Sequence, residues 1–230
     1  MILRLVIADG SQSPAVAESV EVGDDGALSG WRSVSDGGAG WFAGRLPEAE
    51  LASVRAAVEA VGPVAPEVPA RPDSAQEVLE LDATGPVSIA GISNGTDDWP
   101  RLAATARGLL DRLTDFPRAA VAVSHPAPGV ARLIQRGADP VRLDLSAIAV
   151  RAAAWRGYYE PAGDWSEVVA GPGEVEAGPG WTYDLALGLE SAAAPADGEV
   201  VVHLTADFAI LNGTTRIPVR ARHTPAIPPP

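Results

Sequence analysis

The sequence predicts two domains. The first is an α+β N-terminal domain over residues 1–115, a duplicated strand-strand-helix unit on an antiparallel sheet. The second is an all-β sandwich over 116–230. Three observations carry this. Apolar residues at helical spacing occur only ahead of Phe116, first at Leu51, Val54, Val58 and Val61, then at Leu102, Leu109, Leu110 and Leu113. After Phe116-Pro117 the alternation has period two. Gly and Pro clusters then break the second half into short segments, the spacing of a β-sandwich.

Ile2–Ala8 reads as a short apolar strand ending at Asp9-Gly10. Val16–Val22 follows, then the Asp24-Asp25-Gly26 turn and a strand over Ala27–Val34. The acids of that turn lack the further oxygen ligands of a calcium loop. Gly37-Gly38-Ala39-Gly40 reads as a flexible tip running into Trp41-Phe42. Neighbouring residues on a strand point to opposite faces, so only one of the two aromatics enters a given core. Pro47–Val61 is the clearest helix: Pro47 suits its first turn, Glu48 and Glu50 suit the positive end of its dipole, and Gly62-Pro63 stops it. Prolines 63, 66, 69 and 72 make an extended connector. Val78, Leu79 and Leu81, the Thr84-Gly85-Pro86 turn, a strand over Val87–Ile92 and a Trp99-Pro100-led helix repeat the plan.

In the second half, Ala119–Val123, Val130–Gln135, Val141–Leu145 and Ile148–Trp155 read as strands. Arg156–Trp165 reads as a polar loop holding Tyr158, Tyr159 and Trp165. Trp181–Leu189 alternates without a break. Val200–Leu211 and Thr214–Arg222 form a hairpin about Asn212-Gly213, with Pro218 marking an edge.

Composition narrows the function. The chain has no cysteine, which removes disulfides, thiol catalysis and zinc-thiolate sites. It has no lysine; all 17 basic residues are arginine, the usage of a GC-rich, actinobacterial-type genome. The net charge of -13 repels phosphate backbones, so no nucleic-acid partner is expected. The N-terminal apolar run is too short for a signal peptide, and no run approaches the ~20 residues of a membrane span, so a cytoplasmic protein with no membrane partner is expected.

One resemblance bears on the first half. The glycine tip, FAGRLPEAELASVRAAVEAV, the link RPDSAQEVLELDATG and the Trp-Pro-led helix together resemble the emfourin family, small inhibitors of thermolysin-like metalloproteases. The resemblance covers residues 1–115 and implies a protein partner, a metalloprotease, blocked by occlusion. Trp41 interrupts the family's glycine spacing, and no inhibitory contact is carried over to a named residue.

Motifs of hydrolases, phosphate-binding loops and dinucleotide folds are missing, so no catalytic residue, metal or cofactor is expected. Position 203 is read as pairing near 222, which would bring His203 and His223 together near Asp207; sheet histidines at a solvent face need no metal. The candidate binding residues are Gly37, Gly38, Trp41, Phe42, Tyr158, Tyr159 and Trp165. Loops carry binding groups disproportionately, and Trp and Tyr bring contact area at small entropic cost. The expected function is non-catalytic protein binding. The alternatives are a carbohydrate- or small-ligand-binding sandwich and a structural or assembly subunit.

Overall fold

The fold is known from a computed structural model, which describes residues 1–62, 75–82, 84–89, 97–127, 129–156, 160–188 and 200–224. The expected proline connector, the polar loop at 94–96, Tyr158, Tyr159 and the 225–230 tail lie outside these residues. Among the described residues the protein is mainly β, with two α-helices. Among the described residues no helix is long and apolar enough to cross a membrane.

The chain divides into two compact units, Met1–Arg32 with Trp41–Pro117, and Ser33–Gly40 with Arg118–Pro230. The division near Phe116 thus needs one correction: Ser33–Gly40 belongs with the second unit. No local pattern marks this, because the assignment depends on partners far along the chain.

The first unit contains β1 (Leu3–Asp9), β2 (Val16–Val22) and β3 (Ala27–Arg32). The two-residue β4 (Val34–Ser35) belongs to the second unit, and β5 (Ala39–Arg45) runs on into the first. There follow α1 (Glu48–Val61), β6 (Gln76–Leu81), β7 (Gly85–Ser88), α2 (Asp98–Arg112) and a 3₁₀ turn over Leu113–Asp115. The strands of this unit lie in the order β5-β3-β2-β1-β6-β7. Antiparallel register sets Leu5 between Val20 and Leu79, and Leu3 between Val22 and Leu81, and all six are buried. Each fully buried aliphatic side chain contributes roughly 1.5–3 kcal/mol, so these rows anchor the sheet. Leu102, Ala106, Leu109 and Leu110 form the buried stripe of α2. The α1 and α2 helices pack together, and Arg112 joins Glu50 at 3.0 Å. Five strands, one of them β4, precede α1 and two precede α2.

The second unit continues with β8 (Pro117–Ala127), β9 (Val130–Gln135), β10 (Val141–Arg156), β11 (Glu160–Val169), β12 (Glu174–Ala177), β13 (Thr182–Ala186), β14 (Val200–Asn212) and β15 (Thr215–His223). They form two layers, β13-β9-β8 and β11-β10-β14-β15-β4, with β12 also on β10. Two sheets, with no helix among the described residues of this unit, fit the sandwich expected. Three local expectations change. The two strands expected over 141–155 are one strand whose register shifts between Asp144 and Ala149. Trp165 stands in β11, where a loop was expected. The hairpin turn is one residue later: Asn212 pairs with Thr215, and Gly213 (φ 61) takes the positive φ that a type II′ turn needs at its first central position. Pro218 is tolerated because β4 pairs only with Arg220 and Ala221, leaving the chain at 218 unpaired on that side.

Candidate functional site

Strand parity separates the two faces of the β11-β10-β14-β15 sheet. Val150, Ala206 and Ala221 make one cross-strand row, and Ala152, Leu204 and His223 another. Apart from His223 these side chains are buried, so this is the core face. The alternate residues make the opposite face. Its middle row runs Ser166, Arg151, Thr205, Arg222 across the four strands. One row on lie Asp164, Ala153 and His203; on the other side lie Val168, Ala149, Asp207 and Arg220.

This polar face holds an open concavity of about 430 Å³, with Arg151, Arg222, His203 and Thr205 in its lining. The small side chains of Ala149 and Ala153 flank Arg151 on β10 and leave the space. Arg220 is nearly buried and is held by Asp207, its Nε donating to Oδ1 at 2.6 Å and its Nη2 to Oδ2 at 2.7 Å. The Asp207 carboxylate beside it raises the Arg220 pKa, so the guanidinium stays charged. The Arg220 backbone N–H donates to the Ser33 carbonyl at 2.7 Å, which ties this pair to the Ser33–Gly40 segment. Arg151 reaches Asp207 only at 4.0 Å. Arg222 makes no ion pair or hydrogen bond among the described residues, and neither do the side chains of Thr205 and His203.

That makes Arg222 an exception. The other arginines with described side chains meet an acid or a carbonyl oxygen: Arg32 with Glu18, Arg118 with Asp139, Arg132 with Asp184, Arg142 with Glu174, Arg216 with Asp144, and Arg136 with the Gly37 carbonyl are examples. In a chain of net charge -13, an arginine left without an acid is the unusual feature.

Of the residues singled out from sequence, Gly37, Gly38, Trp41 and Phe42 fall elsewhere, Trp165 borders the concavity, and Tyr158 and Tyr159 lie outside the described residues. Gly38 is buried with Val121 backbone atoms 3.3 Å from where a Cβ would stand. At Gly40 (φ 138) a Cβ would come within 2.1 Å of the Ala119 carbonyl oxygen, so only glycine fits. Gly37 is half-buried, and its N–H donates to Ser35 Oγ at 3.1 Å. The expected flexible tip is therefore packed chain. Phe42 is buried in the first unit, so its binding role is corrected to a core role. Trp41 is half-buried against Trp31, ring centroids 4.4 Å apart at 56°. Trp165 borders the concavity, but its register with Ala152 sends its Cβ to the face opposite Arg151. Trp181 and Tyr183 stack on each other at 6.1 Å.

The histidine expectation is also corrected. Leu204, not His203, shares a row with His223, so the two histidines leave opposite faces of the sheet. The one-residue shift of the turn places Thr205 opposite Arg222. Among the described residues no group of three or more His, Asp or Glu side chains is placed to hold a metal. His125 Nε2 is buried without a hydrogen-bond partner among the described residues; burial, and secondarily the charge of His223, hold the His125 pKa below its ordinary value.

The signal for the arginine face was present but was passed over. His203, Thr205 and Asp207 alternate with the apolar set of β14, and Arg216, Arg220 and Arg222 sit at even spacing on β15.

No protein-family model matches the chain, and no curated protein matches it. Among solved structures, Spo0M, the sporulation control protein of Bacillus subtilis, is similar at 14% identity with a TM-score of 0.20. The match covers 46% of this chain and 48% of Spo0M, about half of each.

Proposed function

We propose that the protein is a non-catalytic binding protein that docks an acidic group of a protein partner on the arginine face of its second unit. The observation that carries this is Arg222, unpaired among the described residues at an open concavity it shares with Arg151. A guanidinium fork is suited to carboxylate and phosphate, and a local cationic site on an acidic chain directs an anion to one place. The test is retention on immobilised polyglutamate at low salt. The intact chain is expected to be retained and released by added salt, and Arg151→Ala/Arg222→Ala to pass through. Equal retention of both would overturn the reading.

A second reading rests on the element order of the first unit. Two strands, β6 and β7, precede α2, while additional strands precede α1, and the reading of a strand-strand-helix module draws its support from the β6-β7-α2 part of this order. On that basis the first unit is a metalloprotease inhibitor acting by occlusion, with half-exposed Trp41 as its remaining aromatic contact. Titration against a thermolysin-like metalloprotease decides it. Stoichiometric loss of peptide cleavage with the added chain intact supports inhibition; digestion of the chain overturns it.

A further inference from the structure

The geometry of the arginine face also bears on which anion it takes, an inference that rests on the first reading above. We infer that the concavity binds a phosphomonoester dianion, carried on a partner's side chain or free as inorganic phosphate, between Arg151 and Arg222 and over Thr205.

Three observations lead there. The first is spacing. Arg151 and Arg222 stand in one cross-strand row with Thr205 between them. Two strand spacings separate their Cα atoms by about 9.6 Å, which two arginine side chains can close from opposite sides on one small group. The shape of the ligand follows. A carboxylate has two oxygens in one plane and satisfies one guanidinium fork. Asp207 shows this on the same face: both its oxygens go to Arg220 at 2.6 and 2.7 Å, and Arg151 is left at 4.0 Å. A phosphomonoester has three terminal oxygens that diverge, so it can serve two forks and a hydroxyl together.

The second observation is charge. Three arginines, 151, 220 and 222, face one carboxylate, Asp207, in these two rows. Two positive charges remain, the charge of a dianion. Asp164, the acid in the lining of the concavity itself, lies one row away and is exposed, so solvent screens its charge. The third is unused donor capacity. The Thr205 hydroxyl lies in the row between the two forks, and His203 lies two residues before it on the same face; neither side chain has a hydrogen-bond partner among the described residues. Ala149 and Ala153 keep the space beside Arg151 free of bulk.

The test is calorimetric titration of the full chain with three probes: inorganic phosphate, acetyl-Gly-phosphoserine-Gly-amide and the same peptide with glutamate. The phosphoserine peptide is expected to bind at least tenfold more tightly than the glutamate peptide. Arg222→Ala and Arg151→Ala are each expected to lower its affinity tenfold or more, and Thr205→Val severalfold. Arg216→Ala, on the same face but paired with Asp144, should leave it unchanged. Thermal unfolding of each variant checks the fold; should Arg222→Ala unfold, Arg222→Lys keeps the charge without the fork and is expected to bind weakly. Inorganic phosphate matching the phosphopeptide would support the dianion and assign it as a free ion. Equal binding of phosphoserine and glutamate peptides would overturn the phosphate inference while leaving the acidic-partner reading intact. Binding of no probe would overturn both.

Discussion

Two stretches of the second unit, Gly38–Gly40 and the Arg151–Arg222 row, exchange the roles their residue types suggest. Glycines before an aromatic pair suggest a displayed, adaptable tip. They are instead packed, Gly38 tightly against the Val121 backbone and Gly40 where a side chain would collide with the Ala119 carbonyl. Arginines and a threonine alternating on β-strands suggest a solvated face of no consequence. They instead surround a concavity, and one of them has no partner among the described residues. Residue type sets what a group can do; register decides whether it is free to do it. β15 shows the same lesson within one strand. Arg216, Arg220 and Arg222 share a face, yet Arg216 is closed by Asp144, Arg220 by Asp207, and Arg222 has no partner among the described residues.

The strongest way to break the contrast is to truncate the aromatic that follows the glycines. Phe42→Ala should cost about 4 kcal/mol in denaturant unfolding, because the ring is buried and its removal leaves a cavity. A loss below about 1 kcal/mol would return Phe42 to the candidate binding residues.

Next comes the closed part of the arginine face. Asp207→Ala strands the nearly buried Arg220 without its counter-ion, and should cost about 3 kcal/mol. Asp207→Asn, which keeps one acceptor, should cost less. Equal stability of Asp207→Ala and the parent would mean that water solvates Arg220.

A smaller effect sharpens the contrast at the turn end. Hydrogen bonds from Arg216 and Ser146 lower the Asp144 pKa from 3.8 to about 2. The folded pKa lies below the unfolded one, so this contribution is complete above about pH 4 and is lost as pH falls through 2. Asp144→Asn should cost about 1 kcal/mol at neutral pH, since the pair is partly solvated. The difference from the parent should shrink below about pH 4 and vanish as pH falls through 2. A difference independent of pH would mean that the ion pair is not its source.

The smallest effect belongs to the open residue. Arg222→Ala should change stability by less than about 0.5 kcal/mol, because its side chain has no ion pair or hydrogen bond among the described residues. A large loss would show that Arg222 holds the fold, and the open end would then resemble the closed one.

Much of the secondary structure was legible. The helix at 48–61 shows its apolar face and both stops, and the alternation of Val202, Leu204, Ala206 and Phe208 marks β14 and its core face. What was not legible depends on distant partners. Ser33 and Val34 read as the end of a strand and Gly37–Gly40 as a flexible tip, and that the segment belongs with the second unit shows only when Arg220 and Ala221 pair with Val34 and Ser35. The register shift that lets β10 continue past Ser146 has no local signature. The hairpin turn was placed on the strength of Asn-Gly, but only Gly213 adopts a positive φ, and one residue of displacement changes every cross-strand partner. Hence the candidate site was missed: its residues were visible, but that Thr205 rather than His203 faces Arg222 was not.

Nuclear magnetic resonance of arginine side chains tests the open-end claim most directly. The Nε–Hε signals of the intact chain would be followed as inorganic phosphate is added at constant ionic strength. Saturable shifts at Arg151 and Arg222, with Arg216 and Arg220 unmoved, are the predicted result. Uniform small shifts across all arginines, or saturation at Arg216 instead, would contradict a binding site at the open end of the face.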